Sequence, residues 1–385
     1  MFKPGLETFF ETFNTNKAVR VGLTVNNTSR DANGIHLVNR IKNDKRFILK
    51  RIFTPEHGFA SDAPDGEAVS NSLEQSTKTE IISLYGNNRT PSHEQLSDID
   101  LLIYDIQDVG VRFYTYISTL RNVMEAANNS NIDFAVLDRP DLIGGVEVEG
   151  PMLYENLYSF VGHLPIPLRY GLTPGELSLW WKDKAKLKLN LKVYKCFDYK
   201  CPTPFEKLNF PWYKPSPSMV NIETAKFYPG TCLFEGTNVS EGRGTEAPFQ
   251  KIGAPWVDSN KWLEMLHYML PKDINASKTE FIPTFSKYKD EKCYGIELST
   301  ANSFLKDSVY VGIITLYTLI KTHPNKVKFE NRPTLKYPFI DYLSGIKDIR
   351  QCLESGLLPQ KELFYSQEII EFKQSRKKYF LYNRQ

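Results

Sequence analysis

The sequence lacks long apolar runs. Its 385 residues contain none that approaches the ~18–20 residues of a membrane-spanning helix. The opening MFKPGLETFFETFNTNK carries acidic residues and has no apolar core of the length that a secretory signal needs. We therefore expect no membrane span, and a cytoplasmic protein unless a signal has been removed from a periplasmic or secreted one.

Neither charge of one sign nor cysteine is in excess. The 48 basic and 45 acidic residues are mixed along the chain and leave a net charge of +3, without the basic tail or stripe that binds nucleic acid. The 5 cysteines are odd in number and scattered, which fits neither a disulfide framework nor a CxxC zinc pattern. We therefore expect buried thiols and no nucleic-acid partner.

Motifs of several common enzyme classes are missing or incomplete. The sequence has no Walker loop and no H-E-x-x-H, and its 6 histidines show no ligand spacing. GRGTEA (242–247) has the letters of a dinucleotide fingerprint, but Pro248 blocks the helix that should face the pyrophosphate. NVSEG (238–242) lacks the first glycine of a nucleophile elbow, and no strand precedes it. These observations argue against a catalytic metal, a nicotinamide cofactor and a serine nucleophile.

The first 140 residues alternate strand-like and helix-like segments. Strand-like segments lie at 18–27, 46–54, 80–86, 98–108 and 133–140, and helix-like segments lie at 34–44 and 117–129. Such alternation predicts an α/β fold with a Rossmann-like, largely parallel sheet. In these sheets ligands bind at the carboxyl ends of the strands. The polar stretches PEHG (55–58), DIQDVG (105–110) and LDRP (137–140) fall at those ends.

The length predicts two domains, because domains usually span ~100–200 residues. Between 208 and 256 the chain becomes rich in proline, glycine, serine and threonine. We place the boundary there, which gives an N-terminal catalytic domain at 1–225 and a C-terminal domain at 226–385. The second domain is predicted to be smaller and α+β, since helical patterns lie at 258–269, 306–322 and 361–375 and a strand-like segment lies at 293–300.

Carboxylates and arginines are dense on glycine-punctuated loops. They are Glu56, Asp105, Asp108, Arg112, Asp138, Arg139, Glu235, Glu241 and Arg243. Asp108 with Arg112, and Asp138 with Arg139, are equally consistent with ion pairs that hold loops. Glu56 directly follows a strand, on a Pro-Glu-His-Gly loop, which favours chemistry or binding over a purely structural role. Paired carboxylates are what glycoside hydrolysis requires.

Eight stretches carry a family resemblance. They are FTPEHGFA (53–60), SLYG (83–86), YDIQDVGVRFYTYISTL (104–120), VLDRPDLIGG (136–145), VEGPML (148–153), SFVGHLPIPLRYGLTPGEL (159–177), PWYKPSPSM (211–219) and YPGTCLFEGTNVSEGRGTEAPFQKIGAPW (228–256). In this order they resemble the NamZ family of exo-β-N-acetylmuramidases. The resemblance runs from about residue 18 through the C-terminal domain.

This resemblance implies a Rossmann-like N-terminal domain, a smaller C-terminal domain and an active site in the cleft between them. It implies an exo-acting glycosidase that releases N-acetylmuramic acid from the non-reducing end of peptidoglycan-derived β-1,4 glycans during cell-wall turnover. The implied partners are therefore peptidoglycan fragments. No metal and no organic cofactor is implied.

The resemblance also implies roles for individual residues. Glu56 is the expected general acid/base, with His57 tuning or orienting it. Glu235 and Glu241 are both candidates for the second carboxylate, with Glu235 slightly favoured. Asp141 and Tyr170 depart from the family pattern, which tends to show asparagine and histidine at these positions.

The substrate adds a further requirement. N-acetylmuramic acid carries a lactyl carboxylate that N-acetylglucosamine lacks, and a guanidinium group binds both oxygens of a carboxylate. We assign Arg243 or Arg112 to that carboxylate. The other expected substrate-binding residues are Tyr114, Tyr116 and Asn238, which would contact the sugar, together with Asp105, Asp108, Asp138 and Arg139 on the motif loops.

Several alternatives stay open at this point. A non-catalytic sugar-binding protein would use the same aromatic and basic side chains without cutting the glycan. An esterase or a metal-dependent hydrolase would use His57 and Asp108. Within the glycosidase interpretation, retention, inversion and participation of the substrate's own acetamido group are all compatible with the sequence.

Overall fold

A computed structural model describes residues 1–64, 66–67, 71–74, 76–364 and 366–384. Within these residues, a 7-stranded sheet and a 3-stranded sheet are found. The strands of the larger sheet are β1 (Val19–Val25), β2 (Phe47–Thr54), β3 (Ser72–Leu73), β4 (Glu80–Ser83), β5 (Leu101–Asp105), β6 (Asp133–Leu137) and β7 (Leu191–Tyr194). Their order in the sheet is β3-β4-β2-β1-β5-β6-β7.

The larger sheet is parallel except at one edge. β1 pairs in parallel with both β2 and β5, and the parallel pairing continues outward to β4 on one side and to β6 and β7 on the other. Only the short edge strand β3 runs antiparallel within the described sheet. The predicted Rossmann-like, largely parallel sheet is thus confirmed. Because β2, β4 and β5 are parallel, the loops that follow them all leave the sheet on the side of the carboxyl ends of the strands.

Helices cover both faces of this sheet. They are α1 (Gly5–Thr12), α2 (Leu37–Lys42), α3 (His93–Leu96), α4 (Tyr116–Asn129) and α5 (Pro174–Lys184), with 3₁₀ turns at Glu155–Leu157 and Phe205–Leu208. Alternate side chains of β5 enter different cores: Leu101 and Ile103 join one cluster with α1 and α2, whereas Leu102 and Tyr104 join the other. Burial on both faces explains why the central strands read as nearly continuous apolar runs.

The remaining chain forms the predicted α+β region. Its strands are β8 (Lys251–Ala254), β9 (Ile274–Phe281) and β10 (Cys293–Thr300), in the antiparallel order β8-β10-β9. Its helices are α6 (Ile222–Thr231), α7 (Ser259–Met269), α8 (Ser308–Thr322), α9 (Phe339–Ser344), α10 (Asp348–Glu354) and α11 (Gln367–Ser375), with 3₁₀ turns at Cys232–Gly236, Lys361–Phe364 and Arg376–Tyr379. The sequence predicted β10, α7, α8 and α11 but not β8 or β9. Much of β9 is exposed, which removes the apolar signal.

A close crossing of α6 and α8 positions the chain that follows α6. A Cβ atom at Gly230 would lie 2.1 Å from the carbonyl oxygen of Ser308, and one at Gly312 would lie 2.2 Å from the backbone of Gly230. Only glycine therefore permits this approach of the two backbones. The turn Cys232–Gly236, which carries Glu235, begins directly after α6 and is fixed by this crossing.

No helix in the described ranges is both long enough and apolar enough to cross a membrane.

Candidate active site

A cavity of about 610 Å³ opens where the loops after β2, β4 and β5 meet the second half of the chain. The volume is within the range of small-molecule sites, ~300–1,000 Å³. The expected residues that line it are Glu56, His57, Tyr114, Glu235 and Arg243. The structure therefore brings together candidates that are almost 190 residues apart in sequence, as expected for a cleft between the two halves.

Glu56 is held in this cavity by hydrogen bonds to both carboxylate oxygens. Its Oε2 accepts a hydrogen bond from the hydroxyl group of Thr115 at 2.7 Å, and its Oε1 accepts one from the backbone N–H of Gly66 at 3.1 Å. The hydroxyl group of Tyr85 lies beside the same carboxylate, and burial together with the Glu56 charge raises the pKa of Tyr85 well above its usual value. Tyr85 is therefore neutral and keeps its proton for donation.

The turn that carries Glu56 depends on its two following residues. His57 and Gly58 both adopt left-handed backbone angles, with φ of 69° and 73°. For a histidine this conformation is uncommon, so the turn must be stabilised by its contacts. The Nδ1–H of His57 donates to the carbonyl oxygen of Ala63 at 2.8 Å, which fixes the ring against the loop. The position of His57 beside Glu56 is compatible with the expected orienting role.

Glu235 and Arg243 form a second, charged part of the cavity wall. Nη2 of Arg243 lies 2.6 Å from Oε1 of Glu235, and its Nε lies 3.2 Å from Oε1 of Glu241. The guanidinium group also lies over the ring of Phe249, 4.9 Å from the ring centroid. Arg243 therefore organises both candidate carboxylates.

The two candidate carboxylates differ in exposure. Glu235 lines the cavity, whereas Glu241 is almost fully buried and does not line it. Nζ of Lys287 lies 3.1 Å from Oε2 of Glu241 and also donates to the carbonyl oxygens of Phe234 and Val239. Through these contacts Glu241 stabilises Arg243 and Lys287 and does not itself reach the cavity. Of the two, Glu235 is the one in a position to meet a ligand.

Aromatic rings form much of the remaining wall. The lining rings are Tyr85, Phe113, Tyr114, Tyr158, Phe160, Tyr228, Phe249 and Phe339. The rings of Tyr114 and Tyr228 pack edge to face with centroids 5.8 Å apart, and Tyr228 packs in the same way on Phe249 at 4.6 Å. Such rings provide rigid apolar surfaces with polar groups at their edges, which suits a sugar.

Two of the expected charged residues form a buried ion pair away from this cavity. Arg139 binds Asp105 through two hydrogen bonds, from Nε at 2.6 Å and from Nη2 at 2.8 Å. Both side chains are fully buried, and neither lines the cavity. The pair fastens the ends of β5 and β6. The structure does not support the expectation that Asp105 and Arg139 contact the substrate.

Arg112 is another expected ligand that the structure places elsewhere. Its guanidinium group is completely buried and donates to four carbonyl oxygens, those of Pro151, Ile166, Leu343 and Ser344. Burial lowers the pKa of Arg112 to about 9. Arg112 therefore ties the loop after β5 to the end of α9, and this position does not support binding of a lactyl carboxylate.

Asp108 and Asp138 are buried carboxyl groups behind the site. Oδ2 of Asp108 accepts hydrogen bonds from the backbone of Gly110 at 2.8 Å and from the hydroxyl group of Tyr170. Asp138 accepts from Thr173 at 2.7 Å and holds the start of α5. Burial raises the pKa of both aspartates to about 7. Neither lines the cavity, so the expected contacts of Asp108 and Asp138 with substrate have no support.

Tyr116 and Asn238 also lie outside the cavity lining. The hydroxyl group of Tyr116 donates to the carbonyl oxygen of Pro215. The side-chain amide of Asn238 donates to the carbonyl oxygen of Lys326 at 3.0 Å and accepts from the backbone of Lys328 at 2.7 Å. Both side chains therefore support loops around the cavity, contrary to the expected sugar contacts.

Several lining residues were missed by the sequence analysis. They are Tyr85, Arg89, Thr115, Ser216 and Arg332. Tyr85 and Thr115 lie inside stretches that carried the family resemblance, so their motifs offered a signal. Arg89 and Arg332 lie on polar loops with no catalytic motif nearby, and only the three-dimensional structure brings them to the cavity.

No group of three or more histidine, cysteine, aspartate or glutamate side chains in the described part of the chain could hold a metal ion. Asp108 does not share the cavity with His57. The geometry that a metal-dependent hydrolase would need around His57 and Asp108 is therefore not found in the described residues.

Sequence comparison assigns this chain to a known family. A family profile described as "Exo-beta-N-acetylmuramidase NamZ, N-terminal" matches residues 21–223, and its C-terminal counterpart matches residues 226–382. Over 367 residues the chain is 36% identical to the peptidoglycan beta-N-acetylmuramidase NamZ of Bacillus subtilis (strain 168). The match covers 95% of this chain and 87% of that relative.

Two solved structures of DUF1343 family proteins from Bacteroides fragilis NCTC 9343 share the fold. One has a TM-score of 0.89 and 30% identity and covers 99% of both chains; the other has a TM-score of 0.76 and 28% identity and covers 100% of both. A cavity with carboxylates from two halves and aromatic walls, in a chain with these relatives, defines a glycoside hydrolase. The chain belongs to the NamZ family of exo-β-N-acetylmuramidases.

Proposed function

We propose that the protein removes N-acetylmuramic acid from the non-reducing end of β-1,4-linked peptidoglycan fragments. The observation that carries this proposal is the placement of Glu56 and Glu235 in the wall of one sugar-sized cavity. The similarity to the Bacillus subtilis relative supports the choice of sugar.

Glu56 is proposed as the general acid/base. In the reaction the bond between the anomeric carbon and the bridging oxygen breaks, and the proton of Glu56 goes to that oxygen. Water then supplies the hydroxyl group at the anomeric carbon and the proton that restores Glu56 to its acid form. The hydrogen bonds from Thr115 and Gly66 support this assignment, because they hold the carboxyl group in one orientation.

Glu235 is proposed as the second carboxylate. Positive charge develops at the anomeric carbon in the transition state, and a second carboxylate in the same cavity stabilises it. The ion pair with Arg243, 2.6 Å long, supports this role because it fixes the direction of the Glu235 side chain. Glu241 is proposed to act indirectly, by fixing the position of the Arg243 guanidinium group that binds Glu235.

The two domains are proposed to be 1–225 and 226–385. The adjoining ends of the two family profiles, at residues 223 and 226, support this division. In this arrangement the first domain contributes Glu56 and the second contributes Glu235.

Two disaccharides of opposite sequence test the proposed activity. One has N-acetylmuramic acid at the non-reducing end of a β-1,4 bond to N-acetylglucosamine, and the other has the sugars exchanged. The purified protein should release free N-acetylmuramic acid from the first and leave the second intact, as followed by mass spectrometry. Hydrolysis of the second disaccharide alone, or of neither, would contradict the proposal.

A further inference from the structure

The lactyl carboxylate poses a problem that the expected arginines do not solve. Arg243 already binds the two carboxylates of Glu235 and Glu241. Arg112 is completely buried on four backbone carbonyl groups, and Arg139 is buried against Asp105. A substrate anion near Arg243 would also meet two negative side chains. The cation that recognises the lactyl group must therefore lie elsewhere on the cavity wall.

Two other arginines line the same cavity, one from each half of the chain. Arg89 follows β4 and Arg332 precedes α9, and both side chains are exposed at the cavity. Neither guanidinium group forms an ion pair with a carboxylate in the ranges that the structure describes. Both are therefore available to an anionic ligand.

Aromatic rings hold each of these guanidinium groups in place. Arg89 lies over the ring of Phe160, 4.4 Å from the centroid, and its Nε donates to the carbonyl oxygen of Gly86 at 3.0 Å. Arg332 lies over the ring of Phe339, 3.2 Å from the centroid. Stacking on a ring leaves the edge of the guanidinium group free to donate in its own plane. That edge is the part that binds a carboxylate.

Both arginines also lie within electrostatic range of Tyr85, the tyrosine beside the proposed catalytic carboxyl group. The positive charges of Arg89 and Arg332 each act to lower the pKa of Tyr85, against the larger raising effect of its burial. The same tyrosine lies beside Glu56, and its ring contacts Phe160 with centroids 5.6 Å apart. The two guanidinium groups are thus within electrostatic range of the position where the terminal sugar must sit.

We propose that Arg89 and Arg332 together bind the lactyl carboxylate and select N-acetylmuramic acid over N-acetylglucosamine. This inference rests on the proposed function and adds its specificity determinant. Two guanidinium groups provide enough donors for both carboxylate oxygens. Because they come from different halves of the chain, the bound carboxylate links the loop after β4 to the loop before α9.

The test compares three substrates that differ only at the lactyl position. They are the disaccharide of N-acetylmuramic acid and N-acetylglucosamine, the same disaccharide with its lactyl carboxylate converted to a primary amide, and N,N′-diacetylchitobiose. The variants are Arg89→Ala, Arg332→Ala and the double substitution, and exposed Arg20→Ala is the matched control. Values of kcat/KM are measured for each combination.

We expect each single substitution to reduce kcat/KM for the carboxylate substrate about 10–100-fold, the size of a charged hydrogen bond. The rate on the amide substrate should change little, and Arg20→Ala should behave as wild type. A double variant that keeps the wild-type preference for carboxylate over amide would overturn the inference. So would equal losses on both substrates, because these indicate a purely structural role.

A binding measurement separates this inference from the proposed function. Calorimetric titration of N-acetylmuramic acid and of N-acetylglucosamine into the Glu56→Gln protein measures selectivity without turnover. Tighter binding of N-acetylmuramic acid that disappears in the added double arginine variant supports the inference even if the wild type hydrolyses no disaccharide. Equal binding of both sugars, or selectivity that survives, contradicts it.

Discussion

The hydroxyl group of Thr115 donates a hydrogen bond to Oε2 of Glu56 across 2.7 Å, although 59 residues separate them in sequence. Thr115 immediately precedes α4, and Glu56 lies on the loop after β2. The contact therefore ties the proposed acid to the rigid start of a helix. Since the other carboxylate oxygen accepts from Gly66, the plane of the carboxyl group is set from two sides.

Thr115→Val tests whether this orientation matters for catalysis. The substitution keeps the shape of the side chain and removes the hydrogen bond. We expect kcat to fall about 10-fold or more with KM nearly unchanged, because the carboxyl group loses its alignment with the bridging oxygen.

Thr119→Val provides the matched control for this substitution. Thr119 lies in the first turn of α4, just after Thr115. It is buried, and its hydroxyl group has no hydrogen-bond partner in the described structure. The control should retain wild-type kcat. If both variants lose activity equally, the effect comes from the helix and the account of Thr115 is incorrect.

Glu235→Gln and Glu241→Gln should show which of the two carboxylates acts in catalysis and which stabilises the fold. Glu235 lines the cavity, whereas Glu241 is buried with Arg243 and Lys287. We expect Glu235→Gln to lower kcat about 100-fold or more with little change in unfolding temperature. Glu241→Gln should lower the unfolding free energy by about 2 kcal/mol or more, because the buried Arg243 and the partly buried Lys287 lose their shared partner.

Thermal unfolding and initial rates, measured on both variants, decide this assignment. A fully active Glu235→Gln enzyme would remove Glu235 from the mechanism. Full stability together with inactivity in Glu241→Gln would instead favour Glu241 as the second carboxylate.

Arg112→Lys should destabilise the fold strongly. Lysine offers one ammonium group where the guanidinium group of Arg112 serves four carbonyl oxygens in a fully buried position. We expect the free energy of unfolding to fall by about 3 kcal/mol or more, as measured by denaturant titration. A change below about 1 kcal/mol would show that water or a shift of α9 replaces the lost bonds.

Asp108→Asn should change how stability depends on pH. Burial raises the pKa of Asp108 from 3.8 to about 7, so between these values the folded state holds a proton that the unfolded state has lost. The contribution of Asp108 to the free energy of unfolding is therefore largest in acid and decreases as the pH rises towards 7. In Asp108→Asn, the free energy of unfolding should therefore fall by roughly 2–4 kcal/mol less than in wild type over the same pH range.

Unfolding titrations at pH 4, 5.5 and 7 measure this change. Asp290→Asn, at an exposed position with the same substitution, serves as the control. An unchanged pH slope in Asp108→Asn would show that another group accounts for the dependence.

The parallel sheet could be predicted from the sequence because its strands are short apolar runs that alternate with segments of helical periodicity. The two edge strands of the second sheet, β8 and β9, were missed. β9 exposes much of its length to solvent, and β8 has only four residues. Apolar periodicity reports burial, so strands with partial burial or few residues leave little signal.

The site was predicted only in part, for a different reason. Glu56 stands out because a local pattern, a strand end followed by Pro-Glu-His-Gly, is unusual by itself. Arg112 and Arg139 were expected at the substrate, yet the structure buries both, because sequence does not distinguish a charge that faces a cavity from one that pairs in the core. Arg89 and Arg332 reach the cavity only through the tertiary fold.

The proposed role of Glu56 is tested most directly by comparing the Glu56→Gln enzyme with wild type on the disaccharide of N-acetylmuramic acid and N-acetylglucosamine. Exposed Glu264→Gln is the control, and both are compared with wild type by the rate of release of free N-acetylmuramic acid. We expect wild type and the control to release the sugar equally, and Glu56→Gln to be folded and at least about 1,000-fold slower. Undiminished release by Glu56→Gln would contradict the central role of Glu56.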